Sequence, residues 1–79
     1  MEKHDAERWA EGWVPGVLRV KYEPRPGFHE FGTFLGLLVV ECGDTEAVVR
    51  LDGYGMMLVA VHPSRLQPVT PAQEEEYKP

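Results

Sequence analysis

At residue 17 the chain begins to alternate apolar and polar positions with a period of two. In Val17-Leu18-Arg19-Val20-Lys21-Tyr22, the residues Leu18, Val20 and Tyr22 share one face while Arg19 and Lys21 lie on the other, the pattern of a half-buried strand. Pro24-Arg25-Pro26-Gly27 breaks it, so residues 24–32 read as a loop carrying Phe28, His29, Glu30 and Phe31. Residues 32–42 form a second, longer strand, nearly all apolar from 34 to 40, in which Gly36 marks a bulge or a bend. Gly43-Asp44 is a hairpin signal, and residues 45–51 make a third strand. Asp52-Gly53-Tyr54-Gly55 is a tight turn, followed by a fourth strand over residues 56–61. His62-Pro63-Ser64-Arg65 reads as one turn of helix, and Leu66-Gln67-Pro68-Val69 as a short last strand ended by Pro71.

Before residue 14 the period is helical. Ala6, Trp9, Ala10 and Trp13 follow i, i+3, i+4, i+7 spacing and place two indoles on one stripe, which predicts a short N-terminal helix stopped at Gly12. About ten residues make a marginal helix alone, so this stripe must dock on something. The predicted organisation is an N-terminal helix over residues 1–12, a β domain over 13–70, and a disordered, acidic C-terminal tail over 71–79.

Five short strands with turns between them predict a mainly β fold, a small closed or partly open barrel. At this level the order of parts resembles an SH3-like barrel, and the segment EAVVRLDGYGMMLVAVHPSRLQPV resembles the back half of many small bacterial and phage SH3-like domains. The resemblance covers residues 14–70 and rests on pattern. It implies a five-stranded SH3-like small barrel with the loop after the first strand at a ligand-binding side. VLRVKYEP is not the Ala-Leu-Tyr-Asp-Tyr type of motif of eukaryotic peptide-binding SH3 domains. EFGTFLGLLVVECGDTEAVVRL resembles a KOW motif but lacks the lysine-rich loop through which those motifs approach RNA. The plasmid-encoded dihydrofolate reductases are similar in size, but where they need Val-Gln-Ile-Tyr this chain reads Met57-Leu58-Val59-Ala60. No catalytic residue carries over from these families.

Composition narrows the picture. With 79 residues and 43% hydrophobic content, the chain is one small globular domain with a thin stability margin. The single cysteine, Cys42, excludes an intrachain disulfide framework. The charged N-terminus carries no apolar leader, and no run approaches the length of a membrane span, so a cytoplasmic protein is expected. The net charge of -5 is unfavourable for a nucleic-acid binder, although residues 1–11 and 71–79 each carry -2 and leave the body close to neutral.

Candidate chemistry is sparse. His4, His29, His62, Cys42 and Glu30 show no metal-ligand spacing. Cys42 has acidic neighbours that would not lower a thiol pKa, and Ser64 two residues from His62 across a proline is not a nucleophile–base arrangement. An enzyme, a metal and a cofactor are therefore not expected. The aromatics say more: Phe28, Phe31 and Tyr54, with Arg25 between two prolines, mark a candidate protein-binding side. Residues 34–40 and 56–61 are apolar on both faces, more than one small interior can absorb. Leu38, Met56 and Leu58 thus join Trp9 and Trp13 as candidates for a face covered by the N-terminal helix or by a second subunit, giving a homodimer or higher oligomer. The expected function is a non-enzymatic protein-interaction module, an adaptor or regulatory accessory protein of the kind phages and mobile elements encode. The alternatives are a nucleic-acid- or ribosome-associated barrel of KOW or Tudor type, and a small enzyme whose site forms at an oligomer axis from Tyr54, Met56 or His62.

Overall fold

A computed structural model describes residues 8–39, 44–53, 55 and 57–77. Five antiparallel strands form one sheet, β1 (Arg19–Arg25), β2 (Phe28–Val39), β3 (Thr45–Leu51), β4 (Leu58–Val61) and β5 (Leu66–Pro68), in the order β4-β3-β2-β1-β5. The 3₁₀ turn Pro63–Arg65 joins β4 to β5, and the α-helix α1 (Pro71–Tyr77) follows. The architecture is mainly β, but the sheet does not close into the expected barrel: β4 and β5 stand at opposite edges and do not pair.

The alternation read from the sequence sets the two faces. Val20, Phe34, Ala47, Val49, Leu51 and Leu66 point inward as one buried cluster, with Trp13, Leu18, Tyr22, Val59 and Val61 packed against it. The cross-strand rows Arg19–Thr33–Arg50–Leu58 and Gly36–Val48–Ala60 lie on the outer face. Gly32 sits between Val20 and Leu51 in the inner row, where a Cβ would lie 2.5 Å from the Arg50 carbonyl oxygen; only glycine permits this approach of β2 to β3. The pairing shifts between Phe34 and Gly36, the bulge that Gly36 foretells.

Three sequence expectations are corrected. First, residues 24–32 are not a loop. β1 runs on through Pro24 to Arg25, a two-residue turn at Pro26 and Gly27 reverses the chain, and β2 starts at Phe28. The proline is accommodated because the β1–β2 register shifts between Tyr22 and Arg25, so its missing N–H falls in an irregular stretch of the ladder. Gly27 turns the chain with φ of 85°.

Second, the acidic segment is not a disordered tail but a helix packed on the sheet. Thr70 Oγ1 accepts from the Gln73 N–H at 3.2 Å and Gln73 Oε1 accepts from the Thr70 N–H at 2.8 Å, a reciprocal capping box with Pro71 at the first helical position.

Third, among the described residues the expected N-terminal helix over residues 1–12 is reduced to Arg8 and Trp9, which pass at once into turns. Residues 8–12 end in turns, with the Glu11 N–H donating to the Arg8 carbonyl and the Trp13 N–H to that of Ala10. Residues 1–7 lie outside the described residues. The segment after the turn lies along β2: the Gly16 N–H donates to the Phe34 carbonyl at 2.7 Å, the Phe34 N–H donates to that of Leu18 at 2.9 Å, and Trp13 meets Phe34 edge-on at 5.3 Å. Trp13 therefore serves the inner core and not the outer apolar face, while Trp9 is 51% exposed. Among the described residues no helix is long and apolar enough to cross a membrane.

Candidate functional site

The β1–β2 hairpin carries chemistry at its tip and along its outer face. At the tip, the register places Arg25 directly opposite Phe28, and the Arg25 guanidinium lies 4.0 Å from the centre of the Phe28 ring. Phe28 is 55% exposed, although a stack of this kind shields one ring face. Pro24, Arg25, Phe28, His29 and Glu30 line an open cavity of about 460 Å³. Stacking uses the flat face of a guanidinium and not its in-plane N–H donors, so Arg25 keeps the capacity to clamp a carboxylate.

Phe31, expected beside Phe28, belongs to a different cluster. It is half-buried three residues further along β2, 5.7 Å from the Tyr77 ring; His29 lies 4.9 Å from the same ring and 5.8 Å from Phe31. Lys21 donates to the Tyr77 hydroxyl at 3.2 Å with its ammonium 4.6 Å from the ring centre. Tyr77 closes over this part of the sheet, so Phe31 is an anchor for α1. Sequence reasoning missed His29, Glu30, Pro24 and Tyr77 as members of these clusters. The signal for Tyr77 was the Thr70-Pro71-x-Gln73 pattern, which announces a helix carrying Glu74 and Tyr77 one turn apart on one side.

The other anchor of α1 is electrostatic. Arg19 donates all five of its N–H groups: Nε and one terminal nitrogen to the Glu74 carboxylate at 3.1 and 2.8 Å, the other terminal nitrogen to Asp52 Oδ1 at 2.8 Å and Thr33 Oγ1 at 3.0 Å, and the first terminal nitrogen again to Asp52 Oδ2. The hydrogen bond to Asp52, then that to Glu74, raises the guanidinium pKa above its ordinary value against the opposing effect of burial. One cation thereby ties β1 to the β3–β4 turn and to α1.

Of the remaining candidates, Leu38 and Leu58 lie on the outer face, 49% and 59% exposed, with Ala60 exposed beside them. Tyr54 and Met56 lie outside the described residues, as do His4 and Cys42. At the 3₁₀ turn, the Ser64 N–H donates to His62 Nδ1 at 3.1 Å and the Ser64 hydroxyl lies 2.8 Å from the same nitrogen; the ring caps the turn. Among the described residues no cluster of three His, Cys, Asp or Glu side chains is placed to hold a metal ion. Comparisons with protein-family models, with curated proteins and with solved structures found no match, so the likeness to SH3-like domains is neither supported nor opposed by known relatives.

Proposed function

We propose that this chain is a non-enzymatic protein-interaction module whose contact site is the tip of the β1–β2 hairpin. The observation that carries the reading is the Arg25–Phe28 stack at the mouth of the cavity lined by Pro24, His29 and Glu30. Arginine and aromatic side chains supply most hot-spot energy at protein interfaces, and a pair already stacked loses little side-chain freedom on binding. The fitting ligand is a protein segment that presents a carboxylate to Arg25 beside an apolar group for the Phe28 ring. The nucleic-acid alternative loses support, because Arg19 and Lys21, two of the cations it needs, are engaged by α1.

The test is affinity capture from the native host, comparing the wild-type chain with Phe28→Ala and Arg25→Glu. Both side chains are exposed, so far-UV circular dichroism should be unchanged. The expected result is a partner retained by the wild type and weakened about tenfold or more by either substitution. Equal capture by all three proteins overturns the reading.

A further inference from the structure

Among the described residues, no strand pairs with the outer side of β4, and this edge lacks the devices that normally blunt one. The opposite edge, β5, is three residues long and holds Pro68. β4 reads Leu58-Val59-Ala60-Val61, with no charge, no proline and no bulge in its pairing with β3.

The direction of its backbone groups follows from the register. The Leu51 N–H donates to the Met57 carbonyl, so residues 57, 59 and 61 turn their N–H and C=O toward β3. Leu58 and Ala60 turn theirs outward. Their side chains belong to the open outer face, where Leu58 is 59% exposed and Ala60 is exposed too.

We infer that β4 pairs antiparallel with β4 of a second copy of this chain, joining two five-stranded sheets across a two-fold axis at Val59. This surface is separate from the hairpin tip. In an antiparallel pair, facing residues lie on the same side of the sheet and alternate between hydrogen-bonded and non-hydrogen-bonded positions. Centring the axis on Val59 satisfies both conditions. Val59 meets its own mate at a non-hydrogen-bonded position, and Leu58 faces Ala60 of the other copy on either side, giving about four backbone hydrogen bonds. Centring on Ala60 would require His62 to join the ladder, but that residue already caps the 3₁₀ turn. The fit is self-complementary, because the same uncharged, outward-directed pair occurs on both partners, as an isologous contact demands. A contact of four residues buries less than the ~1,200–2,000 Å² of a standard interface, so the dimer is weak and forms in about the micromolar-to-millimolar range.

Sedimentation over a concentration series tests this. The wild type should pass from monomer to dimer. Ala60→Pro removes an N–H that points away from β3, and Leu58→Lys places a charge opposite Ala60 of the other copy; each should raise the dissociation constant about tenfold or more while circular dichroism and melting of the monomer stay unchanged. In a Cys42→Ser background, Val59→Cys should cross-link to a disulfide dimer on mild oxidation. Mates at a non-hydrogen-bonded position have Cα atoms about 4.5 Å apart, within disulfide reach. Val61→Cys should not cross-link. A strict monomer at millimolar concentration overturns the inference, as does a dimer indifferent to both edge substitutions.

Discussion

Arg19 shows how much of a small fold can rest on one side chain. Its five donors meet Glu74, Asp52 and Thr33, so no competing anion or water is needed to satisfy it. Glu74 is nearly buried, whereas Asp52 is more than half exposed and its share is screened. Arg19→Met leaves the Glu74 carboxylate buried without its cation and should cost about 2–3 kcal/mol in denaturant unfolding. Arg19→Lys keeps the charge but loses the planar fork and should cost about half of that. The raised guanidinium pKa means that this contribution is fully present below the ordinary arginine value and is lost only as pH rises beyond it. Comparing wild type and Arg19→Met from neutral to mildly alkaline pH should therefore give a constant difference in stability. Gly32 presents the opposite case, a residue defined by what it lacks. Gly32→Ala drives a methyl group into the Arg50 carbonyl and the Val49 side chain and should cost about 1–3 kcal/mol, read as a lower melting temperature.

The C-terminal helix is a docked element whose stability comes from both ends. The capping box at Thr70 and Gln73 sets its start, and Tyr77, held by Lys21, His29 and Phe31, sets its end. A helix of seven residues is too short to persist alone, so cap and anchor are coupled. Thr70→Ala should cost about 1 kcal/mol, and Tyr77→Ala should leave the sheet folded while amide exchange across residues 74–77 accelerates. The two ends were not equally legible in advance. The capping pattern is local and present in the sequence. The docking depends on Arg19, Lys21 and Phe31, whose shared row positions become apparent only once β1 and β2 are paired, and the run of three glutamates reads as solvated when no partner cation is in view.

For the whole molecule, the open sheet divides its outer face into two territories. α1 covers the part built from β1 and the start of β2, while the part toward β4 is left apolar and open. The positive groups are divided in the same way: Arg19 and Lys21 lie under the helix, Arg25 is stacked at the hairpin tip, Arg50 faces Leu58 on β4, and Arg65 sits in the 3₁₀ turn. Among the described residues no continuous basic track results, so titration with single-stranded RNA at low salt should give no saturable binding. Tight, salt-sensitive binding would restore the nucleic-acid reading.

The local pattern of the chain by itself determined that five strands form, the faces of β1 and β3, the bulge at Gly36, the helical turn after His62, and a surplus of apolar side chains beyond what one core holds, because these follow from local chain geometry and from which residues water rejects. It could not place the Pro24–Gly27 segment inside a hairpin, since a proline is read locally as a break and only the shifted register of β1 on β2 makes room for it. It could not decide between a closed barrel and an open sheet, because the same five strands serve either and the outcome depends on whether β4 and β5 meet. Nor could it turn the acidic end into a helix held by Arg19, a contact spanning 55 positions of chain whose energy exists only after the sheet has formed.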